Sequence, residues 1–280
     1  MALRDDLLNY IARHGQDAIT IDKPGVVIVG EVHAFLRRND AAVRTTAMTR
    51  LVRELLADQR FRYFGNESFL NAGPTRQAIR DYWVRAMLPP GFDNAAPGAA
   101  AMDQQEVGRR VMPHRFQPVL DDLRARPRYV LSIGSRMDGN IRDRRLAQHF
   151  FEEVTDRGIA RNTPGVLLLG AIHAAAVPFE LGHTTTRMIL EQHGYPCTSI
   201  RIITDFANDN GADDGVLSLA SFADDADPAV IRLTSLHLQP RICFSTRASP
   251  DSPFFSVRDQ SSDSGRSIAE QYEFMVLHRG

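Results

Sequence analysis

Two histidines follow apolar, strand-like segments in closely matching sequence contexts. Residues 24–34 read PGVVIVGEVHA, and residues 164–174 read PGVLLLGAIHA. Two buried strands would share apolar residues by chance, but not the Pro-Gly entry, the glycine at the exit and the histidine three residues after it. Imidazole is well suited to proton transfer and to metal binding near neutral pH. The repeat therefore predicts that His33 and His173 serve one functional site.

The elements that would position these histidines are strands of a parallel sheet. The short, β-branched run at 25–30 is typical of a strand buried on both faces. Strands are also predicted at 61–64, 129–133, 166–169 and 198–203, and helices at 41–58, 116–125, 140–157, 179–193 and from Pro74 onward. This alternation predicts an α/β fold with a mainly parallel sheet and helices on both faces. Ligands bind such sheets outside the carboxyl ends of the strands, so we expect the site there.

Two glutamates fall near the same predicted sheet edge. Glu31 belongs to the first repeat unit only, because Ala171 stands at the matching position of the second unit. Glu67 lies just past the second strand. A carboxylate at a strand end can orient a histidine, bind a metal or act as a base, whereas a glutamate in a loop is otherwise simply solvated.

An arginine and an aspartate open the helix predicted at 140–157. Asn140 can cap this helix, and Asp143, three residues on, can reach back to the capping backbone. Arg142 in the first turn could instead bind a carboxylate or stabilise an oxyanion. We predict Arg142 as a catalytic residue, and Asp143 and His183 as substrate-binding residues, with His183 lining the site from the helix at 179–193.

Composition narrows the class of protein. The 280 residues are 43% hydrophobic and 24% charged, with a net charge of −1, which gives no reason to expect nucleic acid or an anionic membrane as partner. Two cysteines without CxxC spacing argue against a disulfide framework. No apolar run approaches the roughly 20 residues of a membrane span, and the N-terminus lacks a secretory signal pattern. These features predict a cytoplasmic protein without nucleic-acid or membrane partners.

The organisation along the chain is predicted as one α/β domain over residues 1–280. The segment 89–113 is rich in Pro, Ala and Gly and is predicted to be a lid or insertion, or else a plain surface loop. The portion 207–280 is not assigned a role. Within it, 207–229 is predicted to be a surface excursion, 231–244 one or two strands, and 257–263 a turn.

The motifs occur in an order that resembles a known family. Gly30-Glu31-Val32-His33, Asn66-Glu67, Arg142-Asp143 and Gly170-Ala171-Ile172-His173 are similar to the motif series of the erythromycin esterase, ChaN-like and Tiki superfamily, over roughly residues 24–205. The resemblance implies a parallel-sheet α/β fold with Glu31, His33, Glu67 and His173 around one cleft. Members include macrolide esterases, metal-dependent peptidases and haem-binding proteins. The missing acid at Ala171 disfavours a symmetrical two-metal site.

The first functional hypothesis is a hydrolase that cleaves an ester, lactone or amide bond of a small-molecule or peptide substrate, without a cofactor. His33 would be the general base, with Glu31 or Glu67 orienting its imidazole. His173 and Arg142 would stabilise the developing oxyanion. The absence of GxSxG, GxxxxGK[ST], GxGxxG and HExxH removes serine hydrolases of the α/β-hydrolase type and the usual nucleotide-binding and metalloprotease fingerprints.

Two alternatives remain open from the sequence. His33, Glu67 and His173 could hold a divalent metal, since two histidines and a carboxylate with an open position form a familiar catalytic zinc set. A non-enzymatic protein could use a histidine or tyrosine as an axial ligand to haem or bind another planar ligand. Composition gives no prediction of oligomeric state.

Overall fold

The six residues Val26–Glu31, apolar except for the final glutamate, form β1 in the middle of a seven-stranded sheet. The structure is a computed structural model, and it describes residues 2–22, 25–31, 40–71, 129–135, 139–178, 182–204, 216–221, 229–232, 241–259 and 265–278. In chain order the elements are α1 (Ala2–His14), β1 (Val26–Glu31), α2 (Asp40–Ala57), β2 (Tyr63–Leu70), β3 (Tyr129–Gly134), α3 (Gly139–Asp156), β4 (Gly165–Gly170), α4 (Ala171–Ala174), α5 (Thr186–Gln192), β5 (Cys197–Thr204), β6 (Val216–Ser221), β7 (Ala229–Arg232), β8 (Arg241–Ser245), a 3-10 turn (Pro253–Phe255), β9 (Val257–Asp259), α6 (Ile268–Gln271) and β10 (Phe274–His278).

The strand order of the main sheet is β3-β2-β4-β1-β5-β10-β8. Every pairing in this sheet is parallel except that of β10 with β8, which is antiparallel. The predicted α/β fold with a mainly parallel sheet is therefore confirmed. A smaller antiparallel sheet has the order β7-β6-β9.

Both faces of the main sheet are covered, which explains the continuous apolar runs of its central strands. One face packs against α2 through a core that includes Val29, Val52 and Val276. The other face packs against α3 and α5, with Phe150 and Leu190 in its core. All six residues of β4 are buried. None of the described helices combines the length and the hydropathy that a membrane crossing requires.

The two units of the sequence repeat lie side by side. β1 and β4 are parallel neighbours, and the ladder pairs Gly30 with Leu169 and Glu31 with Gly170. The pairing is thus offset by one residue from the alignment of the two sequences. Because parallel neighbours end at the same edge, the segments that follow both strands begin at one edge of the sheet.

Close packing accounts for three of the four glycines that the two repeat units share. A Cβ on Gly25 would lie 2.2 Å from the carbonyl oxygen of Pro196, and a Cβ on Gly165 would lie 2.0 Å from Cε2 of Tyr63. At the exit of β1, a Cβ on Gly30 would lie 2.9 Å from Cβ of Ala174 in α4. These three glycines are therefore required by neighbouring protein atoms, so they are not by themselves evidence for a bound ligand.

Three predictions from the sequence are wrong in detail. The helix predicted at 179–193 begins only at Thr186, because Gly182 has a φ of 78° and Thr185 acts as the N-cap. The predicted surface excursion at 207–229 contains β6, and the predicted turn at 257–263 contains β9. The region 231–244 ends in a strand of the main sheet, as expected. The predicted lid at 89–113 and the helices predicted from Pro74 onward and at 116–125 lie outside the described residues.

Candidate active site

The candidate site lies at the carboxyl ends of β2 and β4, where Glu67 is held inside the protein. Glu67 is 3% exposed, and its Oε2 accepts a hydrogen bond of 3.0 Å from the backbone N–H of Gly170. Arg142, from the first turn of α3, donates from Nη2 to Oε1 of Glu67 at 3.3 Å. Burying a charged pair such as Glu67 and Arg142 removes both groups from water, and additional hydrogen bonds are needed to compensate for that cost. Glu67 thus ties β2, β4 and α3 together at the site.

Asp143 is the centre of a second group of polar contacts. Its carboxylate is fully buried, and Oδ1 accepts hydrogen bonds from Nδ1 of His173 at 2.9 Å and from the backbone N–H and hydroxyl of Thr186 at 2.5 and 2.6 Å. Oδ2 accepts a hydrogen bond from Nε2 of His183 at 2.8 Å. One carboxylate therefore orients two imidazoles and the first residue of α5.

The ionisation of Asp143 follows from these contacts. Burial alone would raise the pKa of Asp143, but the hydrogen bond and charge of His173, the hydroxyl of Thr186 and the charge of His183 outweigh it, so the pKa lies below its ordinary value. An ionised carboxylate can only accept hydrogen bonds, so the imidazole nitrogens that face it carry hydrogen. In neutral His173 this leaves the lone pair on Nε2, the nitrogen that points away from Asp143.

The two histidines of this group are mostly but not completely enclosed. The side chain of His173 is 12% exposed and that of His183 is 11% exposed. Arg142, one residue before Asp143, is 13% exposed, and within the described part of the chain its Nε is buried without a hydrogen-bond partner. Arg142 therefore has an unused donor, on the residue that precedes Asp143 in the chain.

Asp143 and its two histidine partners are the group, among the described residues, that could hold a metal ion. Ligand atoms of Asp143, His173 and His183 all lie within 4.8 Å of one another. The contacts fit a metal poorly, however, because the carboxylate–imidazole distances of 2.8 and 2.9 Å are those of hydrogen bonds. Oδ1 of Asp143 already accepts from three donors, including the two groups of Thr186. The arrangement fits a carboxylate that orients imidazoles better than a metal ligand.

Five of the residues singled out from the sequence come together in the described structure: Glu67, Arg142, Asp143, His173 and His183. They form two polar groups that are joined by the adjacent residues Arg142 and Asp143. Glu31 is the last residue of β1, opposite Gly170, and its side chain is outside the described part of the structure. His33 also lies outside the described residues, so its predicted place in the cleft stays a prediction.

The structure adds to the setting of two of these residues. The hydrogen bonds described for Asp143 go to His173, His183 and Thr186, all outside α3, so its carboxylate connects α3 with other segments, and its substrate-binding role stays a prediction. His183 lies before α5 in a non-helical segment rather than on a helix. Thr186 was missed, although the threonine run before an amphipathic segment is a typical helix start.

Comparisons with known proteins show likeness in structure only. No family model matches the sequence, and no curated protein matches it. Similar solved structures include a succinoglycan biosynthesis protein (10% identity, TM-score 0.49, 100% of this chain and 98% of that chain covered) and an erythromycin esterase variant in its open conformation (12% identity, TM-score 0.43, 91% and 90% covered). A type III effector is also similar (12% identity, TM-score 0.39, 74% and 86% covered). At these identities and TM-scores the likenesses carry no inference about activity.

Proposed function

We propose that the chain is a hydrolase that cleaves an ester, lactone or amide bond by general base catalysis. The observation that carries the proposal is the hydrogen bond between buried Asp143 and Nδ1 of His173. A carboxylate in this position selects the tautomer with a free Nε2 and stabilises the imidazolium that forms when Nε2 takes a proton. This is the arrangement that a histidine base needs.

The proposed reaction starts when Nε2 of His173 removes a proton from water. The water oxygen attacks the carbonyl carbon, and the electron pair of the C=O bond moves to the carbonyl oxygen, whose negative charge Arg142 stabilises. The tetrahedral intermediate then collapses and the bond to the leaving oxygen or nitrogen breaks. The imidazolium of His173 returns its proton to that leaving atom, so the base is regenerated.

The proposal assigns the base to His173 because a buried carboxylate partner is described for this histidine. The role as base that the sequence favoured for His33, with Glu31 or Glu67 orienting it, stays a prediction. Glu67 accepts hydrogen bonds from Arg142 and from the backbone N–H of Gly170. These contacts suit a residue that positions the arginine. Comparing His33→Ala with His173→Ala separates the two assignments.

A metal-dependent hydrolase is the second candidate, favoured by the spacing of Asp143, His173 and His183. Two imidazoles and a carboxylate suit Zn²⁺, which would activate a water molecule at such a site. The set predicted from the sequence, His33, Glu67 and His173, also stays a prediction. Haem binding remains a further alternative, for which a Soret band on titration is the test.

The test measures turnover of the full chain on a panel of nitrophenyl esters, lactones and amides. We expect His173→Ala to lower kcat by about 10²–10⁴-fold, the usual contribution of a positioned base. The matched control is His193→Ala, because His193 is an exposed histidine at the end of α5 and should be dispensable. Full turnover in His173→Ala would refute the assignment of the base.

Metal content decides between the two candidates in the same preparation. Elemental analysis and activity after exhaustive chelation are measured for the wild-type chain and for His183→Ala. The general-base proposal expects activity that survives chelation. Loss of activity on chelation, restored by added Zn²⁺, would favour the metal-dependent candidate instead.

A further inference from the structure

Arg241 and His278 lie side by side on the outer strands of the main sheet, away from the candidate active site. They are Cα partners in the antiparallel ladder of β8 and β10. Cys243 lies two residues after Arg241 in β8, and Val276 lies two residues before His278 in β10. Both belong to the core under α2. Since side chains alternate along a strand, Arg241 and His278 face α2 as well. Arg241 is 6% exposed.

Each of these residues has a buried nitrogen that makes no hydrogen bond. In the described structure, neither Nη2 of Arg241 nor Nδ1 of His278 has a hydrogen-bond partner. Buried polar atoms are almost always satisfied, and an exception calls for a bound water, ion or ligand. Two such nitrogens on paired residues of adjacent strands can be satisfied by one acceptor. This points to a group with several oxygen atoms.

Among the described residues around this pair, the positive charges outnumber the negative ones, which favours an anion. Arg241 contacts Glu54 of α2 through Nη1, and Arg50, one turn earlier on α2, donates from Nε to the other oxygen of Glu54 at 3.0 Å. Two guanidinium groups therefore share one carboxylate. Burial lowers the pKa of His278, and the positive charges of Arg241 and Arg50 lower it further. Both arginines are therefore near enough to the imidazole to disfavour its protonation. The side chain of Arg50 is 60% exposed and open to a ligand from solvent.

We propose that Arg241, His278 and Arg50 form a binding site for an oxyanion, the phosphate or carboxylate group of a small molecule. A planar guanidinium matches the oxygen spacing of both groups, and charge-assisted hydrogen bonds of this kind are the strong ones. In the tautomer that carries its hydrogen on Nδ1, His278 supplies the additional donor. A purely structural role for the Arg241–Glu54 pair would leave both nitrogens unsatisfied and would give no response to anions.

The site is separate from the proposed hydrolytic centre. In the strand order β10 is three positions from β4, which corresponds to roughly 14 Å at the usual strand spacing. It faces α2, whereas the core beside Asp143 and His173 packs against α3 and α5. Anion binding therefore neither requires nor tests the hydrolase proposal.

The experiment titrates inorganic phosphate into the full chain and follows the imidazole resonances of His278 by ¹H–¹⁵N NMR. Acetate is a second arm, and potassium chloride at matched ionic strength is the third. We expect a saturable shift of the His278 resonances and a rise in Tm with phosphate, acetate or both, but not with chloride. Phosphate alone or acetate alone would assign the anion class. No response, or an equal response to chloride, would overturn the proposal.

Three variants locate the binding. Arg50→Gln alters an exposed residue and should leave the fold intact, while weakening anion binding by roughly tenfold, the usual effect of losing one hydrogen bond to a charged group. Arg241→Gln should abolish binding. The matched control is Arg266→Gln, which removes another exposed arginine paired with a glutamate and should change nothing. If Arg241→Gln does not fold, unchanged binding in Arg50→Gln still refutes the site.

Discussion

At the scale of residues, the candidate site depends on the hydrogen bonds that the buried carboxylate of Asp143 accepts. Asp143 accepts hydrogen bonds from four donors on three residues, His173, His183 and Thr186. Every one of these contacts crosses between segments that are distant in sequence. The orientation of both imidazoles and the start of α5 are therefore coupled through Asp143, and a change there should affect chemistry more than packing.

Asp143→Asn should reduce turnover strongly while the chain stays folded. The amide keeps the shape of the carboxylate but brings an NH₂ group against donors, which selects the wrong tautomer of His173. We expect kcat to fall by about 10²–10⁴-fold, with the circular dichroism spectrum retained. Asp156→Asn, at the exposed end of the same helix, is the control and should keep kcat. Equal kcat in both variants would contradict the role of Asp143.

At the scale of elements, the N-terminus of α5 carries Thr186 to Asp143. Thr185, which is fully buried, caps this helix by accepting a hydrogen bond of 3.1 Å from the N–H of Met188. Its hydroxyl also donates to the carbonyl oxygen of Ala175 at 2.7 Å. The cap thus fixes α5 against the segment that follows α4, and α4 is the helix that carries His173.

Thr185→Ala should destabilise the fold by about 2 kcal/mol, since it removes a helix cap and leaves a buried carbonyl without its donor. The free energy of unfolding in urea measures the loss. Thr185→Ser keeps the hydroxyl and should recover most of it. Thr155→Ala, at an exposed position of α3, should change the free energy of unfolding by less than about 0.5 kcal/mol. A Thr185→Ala variant as stable as wild type would refute the capping role.

Gly165→Ala tests the packing at the start of β4. The added Cβ would lie 2.0 to 2.2 Å from ring carbons of Tyr63. Because the core is closely packed, removing this overlap requires neighbouring atoms to shift, which costs free energy. We expect a loss of about 1–3 kcal/mol in the free energy of unfolding. In a Tyr63→Leu background the ring is gone, so the same substitution should cost less. Additive effects in this double-mutant cycle would show that the two residues do not interact.

At the scale of the whole molecule, acid stability should depend on two carboxylates, the buried Asp143 and the partly buried Glu273. Burial opposes ionisation of Glu273, but hydrogen bonds and charge from Arg187 and a backbone N–H of Ser199 lower its pKa, as in Asp143. A carboxyl with a lowered pKa stabilises the fold above its unfolded pKa, and this contribution is lost as the pH falls through the lower folded value. Both contributions are complete above about pH 5 and decline below about pH 4.

Urea unfolding across this range measures the effect. We expect the free energy of unfolding of the wild-type chain to fall steeply on acidification below about pH 4, and the slope to be smaller in Glu273→Gln. Glu152→Gln, a partly exposed acid on α3, should leave the slope unchanged. A wild-type slope in Glu273→Gln would show that Glu273 does not contribute.

The central strands could be predicted from sequence because burial on both faces leaves long apolar runs, as in β1 and β4. β6 was missed because it mixes polar with apolar residues, and β9 because it has only three residues. At the site, His173 was singled out by the sequence repeat, and Arg142 and Asp143 by their position at the start of a predicted helix. The contact between Asp143 and His183 joins residues 40 apart, and no periodicity encodes such a pairing.

The position of β4 between β1 and β2 has a consequence for synthesis of the chain. β1, β2 and β3 leave the ribosome first, but β1 and β2 are not neighbours in the sheet and are joined only when β4 pairs with both of them. Until then two apolar strands present open edges, which are prone to pair with other chains. A nascent chain that stops before residue 165 cannot complete its sheet. Division of the chain between β3 and β4 should therefore yield two fragments that fold only together.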